Sequence, residues 1–105
     1  VPPDALEEYR RCWRDPAMIH ASCCDYRAAA TVDLEHDEAD TGRTVDCPAL
    51  ALWGSEGFMH HCFDMGALWR KRCSNLRTET LPGAHFFVDQ FPKETAAIMA
   101  DFIGA

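Results

Sequence analysis

Four groups of side chains in this 105-residue sequence are of types that do chemistry and lie close together along the chain. The first is His85, in Pro82-Gly83-Ala84-His85-Phe86, on a loop after a strand-like stretch. An imidazole in that position suits a general base that must reach a nucleophile on another strand. The plain alternative is a surface loop histidine. The second is Gly54-Ser55-Glu56-Gly57, a serine and a glutamate between glycines. Nucleophiles are often exposed on a sharp strand-to-helix turn with glycines around them, but this stretch lacks that spacing. The third and fourth are His60-His61-Cys62 and His20 with Cys23-Cys24. These are zinc-ligand types, yet structural zinc takes paired ligands separated by a few residues, and adjacent ligands seldom converge on one tetrahedral ion. The acidic run Asp33 to Asp40 lacks the central glycine and alternating ligands of a calcium loop. No metal and no cofactor is expected.

The elements that must position these residues follow from periodicity. Asp4 and Glu7 have capping-box spacing, and Leu6, Tyr9 and Trp13 repeat behind them at helical intervals. Asp15-Pro16 reads as an N-cap followed by proline at the first helical position. The second helix carries Ile19, Cys23, Tyr26 and Ala30 on one stripe and continues into a polar end, Asp33 to Glu38, closed by Asp40-Thr41-Gly42. Ala49-Leu50-Ala51-Leu52-Trp53 is then a continuous apolar run between Cys47-Pro48 and Gly54, as in a strand of a buried parallel sheet. Phe63 to Cys73 restores the helical period, with Trp53 and Trp69 expected in the core. Leu76 to Leu81 reads as a second strand, Ala84 to Phe87 as a loop, and Phe91-Pro92 as the start of a last helix with Ala96, Ile98, Met99, Phe102 and Ile103 on its apolar face. Strands alternating with helices give parallel βαβ units and an α/β class. Two strands are too few for a stable parallel sheet, which needs neighbours at its edges.

Composition narrows the class further. Apolar residues make up 48% and charged residues 26%, so the chain reads as globular. Ten Lys and Arg against 17 Asp and Glu give a net charge of −7, which makes nucleic acid and anionic membrane surfaces poor partners. A small anionic substrate stays open, because a pocket answers to local charge. No apolar stretch is long enough to span a bilayer, and Val1-Pro2-Pro3-Asp4 has no signal-peptide pattern. Val1 is not an initiator Met, so the chain is expected to be processed or to start upstream. Six cysteines include the adjacent Cys23 and Cys24, a poor pattern for a disulfide scaffold. They are read as small apolar residues in a reduced, cytoplasmic protein.

Three segments resemble the haloacetate (fluoroacetate) dehalogenases of the α/β-hydrolase superfamily. His20-Ala21-Ser22-Cys23-Cys24-Asp25-Tyr26-Arg27-Ala28-Ala29-Ala30-Thr31-Val32-Asp33-Leu34-Glu35-His36-Asp37 resembles the segment that leaves their helical cap. Cys47-Pro48-Ala49-Leu50-Ala51-Leu52-Trp53-Gly54 resembles the strand that follows the cap. Leu81-Pro82-Gly83-Ala84-His85-Phe86 resembles the loop bearing the catalytic histidine. The resemblance runs along nearly the whole chain, in order, and the Asp25-to-Thr31 stretch is its more specific part. It implies the C-terminal part of an α/β-hydrolase fold: residues 1–42 as the end of the cap, and 43–105 as the last two parallel strands and their helices.

It also implies a mechanism. An aspartate displaces halide from a haloacetate and forms an ester, and a histidine then activates water to hydrolyse it. His85 matches that histidine. Tyr26 matches a cap tyrosine whose O–H helps hold the departing halide. The glycine-flanked nucleophile turn has no counterpart here, so the chain is expected to be inactive alone. Gly57 stands where many α/β-hydrolases place the catalytic acid. That fits the dehalogenase subgroup, whose acid follows an earlier strand, with Glu56 as the alternative. The expected partners are a haloacid substrate and a second copy of the chain in a homodimer, with Trp13 as a contact. Two rivals remain: another α/β-hydrolase such as an epoxide hydrolase, using Tyr26 on an epoxide oxygen, and a non-enzymatic domain that folds by self-association.

Overall fold

Proline cannot donate a helical hydrogen bond and is tolerated at a helix's first position. Three helices here begin with one. The computed structural model describes residues 1–104, which divide into two compact units, 1–42 and 43–104.

The first unit is helical: α1 (Pro3–Trp13), α2 (Pro16–Ala29) and α3 (Val32–Ala39). The Asp15 carboxylate accepts the Ala17 amide at 2.8 Å, so the expected cap of α2 forms. At α1 the expectation fails. Pro2 is the N-cap, and Asp4 lies inside the first turn, where its charge still complements the helix dipole. Glu7 pairs instead with Arg10 at 2.7 Å. The polar continuation of α2 is a separate helix. Thr31 leaves helical geometry (φ −138°, ψ −96°), and its hydroxyl donates to the Arg27 carbonyl at 2.8 Å. A threonine bonding its own i−4 carbonyl competes with the backbone ladder, and the β-branched pair Thr31-Val32 adds to the break. Gly42, at φ 93°, closes the unit. The stripe Ile19, Cys23, Tyr26 and Ala30 is exposed within this unit, and no helix residue in it is buried.

The second unit is built on β1 (Ala49–Gly54) and β2 (Leu76–Leu81), which pair in parallel from Ala49↔Leu76 to Gly54↔Leu81. Both strands have the bounds that their apolar runs and turn residues predict, apart from Gly54 joining β1. A bridge between Val45 and Cys73 extends the pairing at its start, with the Ser74 hydroxyl donating to Asp46 at 2.8 Å. The helix expected from Phe63 to Cys73 is shorter, α5 (Met65–Arg70), and a further short helix that was not expected, α4 (Phe58–Cys62), precedes it. Asp64 caps α5 by accepting the Ala67 amide at 2.8 Å, which restarts the helix where the apolar period runs on. Phe87 opens a short helix, α6 (Phe87–Gln90), rather than staying in the loop, and α7 (Pro92–Ile103) ends on Gly104 at φ 75°. Arg77 of β2 reaches Asp101 of α7 at 2.6 Å and Glu79 at 3.2 Å. The Asp101 carboxylate first, and Glu79 second, hold its guanidinium above the ordinary arginine range.

The core of this unit is thin. Ala51, Cys73 and Leu81 are its buried apolar residues, and Thr95 is buried with its hydroxyl bonded to the Phe91 carbonyl at 2.7 Å. Trp53 is half-buried and Trp69 is exposed, so the core expected of Trp69 is absent from the unit as it stands. All six cysteines are free thiols, and only Cys73 is buried. An apolar cavity of about 480 Å³ lies against β1 and α7, lined by Leu50, Leu52, Met99, Phe102 and Ile103. Among the described residues no ionisable group lines it.

Candidate active site

Parallel strands leave a sheet at the same end, so β1 and β2 deliver their following loops side by side. Gly54 and Leu81 are register partners. The backbone beyond them is tied across: Ser55 N–H donates to the Leu81 carbonyl and Glu56 N–H to the Gly83 carbonyl, each at 2.8 Å. Gly57 N–H closes the β1 turn on the Gly54 carbonyl at 3.2 Å. This crossing demands glycine at position 54. A Cβ there would lie 2.2 Å from the Gly83 carbonyl oxygen and 2.3 Å from that of Ala84, both backbone atoms. Gly83 has φ 155°, a conformation that side chains rarely adopt. The Gln90 side chain reaches back from α6 and accepts the Ala84 amide at 3.1 Å. Three devices therefore fix the residue that follows Ala84, which is His85.

His85 is exposed, with its ring edge-on to Phe86 at a centroid distance of 4.8 Å. It lines a cavity of about 440 Å³ whose other walls include Trp53, Phe58, Met59 and Phe87. Among the described residues His85 is the one ionisable group lining it. An imidazole in such a wall has a donor and an acceptor nitrogen and can move a proton. The cavity supplies no fixed positive charge, so a bound carboxylate would need its cation from elsewhere.

The other sequence candidates fall as follows. Tyr26 belongs to the other unit, on α2, and is 81% exposed. Glu56 is exposed on the β1 turn, where its amide is the part in use. His60 and His61 stack edge-on at 5.5 Å on α4, and His60 Nδ1 accepts a hydrogen bond from Trp53 Nε1–H at 3.0 Å. This bond ties α4 to β1 beside the cavity. Among the described residues no group of three His, Cys, Asp or Glu side chains is placed to hold a metal ion. Nor is any helix long and apolar enough to cross a membrane. Sequence reasoning missed Gln90 as the clamp on the histidine loop and Phe58, Met59 and Phe87 as walls. The signal for Gln90 was the glycine before Ala84, which frees a loop that something must then hold.

No protein-family model matches the chain. A fluoroacetate dehalogenase of a Burkholderia species is 56% identical over 101 residues, which is 96% of this chain and 33% of that protein. A Nostoc sp PCC 7120 protein assigned as an α/β hydrolase superimposes with a TM-score of 0.89 at 46% identity, over 98% of this chain and 35% of that one. The chain belongs to the α/β-hydrolase superfamily. A mutant of a Pseudomonas aeruginosa protein assigned as an epoxide hydrolase, with bound MFA, matches this α/β-hydrolase chain with a TM-score of 0.72 at 31% identity, over 99% of it and 37% of that protein. The chain thus spans about a third of the length of each relative, and what it holds is the C-terminal part of the α/β-hydrolase fold.

Proposed function

We propose that this chain is the C-terminal part of a hydrolase that removes halide from a haloacetate through an aspartyl ester. The observation that carries the reading is His85, held at the end of the parallel pair beside an apolar cavity, in a chain 56% identical to a fluoroacetate dehalogenase. In this reading the aspartate nucleophile and the cation for the substrate carboxylate come from outside these residues. His85 takes a proton from water, and the resulting hydroxide attacks the ester carbonyl. The apolar walls keep other water away. The Tyr26 O–H donates to the halide as charge develops on it in the first step. Residues 1–42 are the end of the cap, and the chain alone releases no halide. A cytoplasmic homodimer, with exposed Trp13 of α1 in the contact, belongs to the same proposal. Light scattering of the purified protein tests its dimer part.

The test uses a protein of the relatives' length. Wild type releases halide from fluoroacetate. His85→Gln lowers turnover by about 10³-fold and leaves the carboxymethyl ester trapped on the enzyme, visible by intact mass. Unchanged turnover in that variant would remove the base assignment. The second reading, epoxide hydrolysis, has the Pseudomonas aeruginosa match in its favour. Turnover of a styrene-oxide-like substrate with no halide release would select it.

A further inference from the structure

Helix α2 carries a nucleophile, a base and a cation on one face, apart from the groups used above. Cys24 Sγ lies 3.4 Å from His20 Nε2 and 3.8 Å from Arg27 Nη1. The spacings, four residues back and three forward, are those at which helical side chains meet. All three residues are exposed. His20 is within reach of the thiol proton, the arrangement that activates a cysteine. Arg27 donates to the sulfur and sets a guanidinium where a carboxylate can approach.

Cys12 on α1 is the natural contrast. It too has an arginine beside it, Arg11 Nη2 at 3.6 Å, but its thiol donates to the Glu8 carboxylate at 3.9 Å. That carboxylate repels an incoming anion and already spends its charge on Arg11.

We propose that Cys24 is an alkylation site for haloacetates that carry a good leaving group, so that the substrate class of the proposed function also modifies this chain. His20 Nε2 takes the proton from Sγ. The sulfur electron pair forms a bond to the halogen-bearing carbon, and the carbon–halogen bond breaks with its pair leaving on the halide. The product is a carboxymethyl thioether, which water does not hydrolyse. The reaction is therefore stoichiometric, where an aspartyl ester would turn over. The physiological electrophile rests on the haloacetate reading; the behaviour of the thiol does not.

The experiment treats the protein with substoichiometric iodoacetate or iodoacetamide and maps the modified cysteines by peptide mass. Cys24 reacts first with iodoacetate, ahead of exposed Cys23, Cys47 and Cys62. Arg27→Gln lowers the iodoacetate-to-iodoacetamide rate ratio at Cys24 about fivefold, the size of one unit-charge contact near 4 Å in water, and the difference shrinks with added salt. His20→Gln slows both reagents alike. These are exposed helix positions, and circular dichroism checks that α2 is kept. A Cys24 rate no higher than that of Cys47 or Cys62, or a ratio unmoved by Arg27→Gln, overturns the site. Halide release from fluoroacetate is read separately on the longer protein. Its absence removes haloacetates as the physiological electrophile, while the mapped order still decides whether Cys24 is the activated thiol.

Discussion

The helical unit and the α/β unit each carry one residue of the proposed mechanism, and they hold it in opposite ways. Tyr26 sits on a helix with local bonds: a cap from Asp15 and side-chain contacts one turn apart. His85 sits on a loop fixed by contacts between residues far apart in sequence, from Ser55 to Leu81 and from Glu56 to Gly83. The first arrangement places a donor on a helical rod, with aim left to whatever covers the helix. The second sets the backbone itself, and tolerates no change of volume at the crossing. A histidine that must deliver a proton needs the second kind of support, because proton transfer requires hydrogen-bond distances.

The sharpest way to break this contrast is Gly54→Ala. The new Cβ meets two backbone carbonyls that have nowhere to go, so the variant is destabilised by about 3 kcal/mol and the His85 loop shifts. Thermal unfolding measures the first effect. Faster exchange of the Ser55 and Glu56 amides reports the second. If Gly54→Ala is neutral, backbone crossing does not position His85. A smaller effect is expected of Gln90→Ala, which frees the Ala84 amide and leaves the strands intact. It costs about 1 kcal/mol, and backbone NMR shifts should change at Ala84 and His85 more than in β1. In the helical unit Asp15→Ala removes the cap of α2 at a cost of about 1 kcal/mol, read as lost helicity and confined to residues 1–42. Spread of that loss into the 43–104 amides would show the two units to be one cooperative body.

The smallest effect is electrostatic. The Arg11 hydrogen bond holds the Glu8 carboxyl below its ordinary value. A carboxyl lowered by folding contributes stability that is present above its unfolded value and is lost as pH falls through its folded value. Helicity of α1 should therefore decline slightly as the solution is acidified below about pH 4.5. Glu8→Gln removes that step. The pair is fully solvated, so salt should erase the difference as well.

The strands were legible because their signal is a continuous apolar run bounded by breakers. Pro48 and Gly54 bracket β1, and Pro82-Gly83 ends β2. The last helix was legible through Pro92 and its apolar period. What escaped was set by single side chains bonding to backbone. Thr31 splits one expected helix and Asp64 sets the start of another inside its expected span, and neither interrupts the apolar period that suggested continuity. Burial was also overestimated. Periodicity names the face a helix would bury, but Ile19, Trp69 and Met99 are exposed here, because a face is buried only where another element lies on it. At the site the histidine was legible from its loop, and its clamp was not, since Gln90 lies five residues on with no pattern of its own.

The bond from Trp53 to His60 has an optical consequence. An indole whose N–H is held by an imidazole nitrogen emits according to that partner. With Trp13 and Trp69 replaced by phenylalanine, the remaining indole lies in the wall shared with His85. Its emission would then register a molecule entering that cavity in real time, without a label and without turnover.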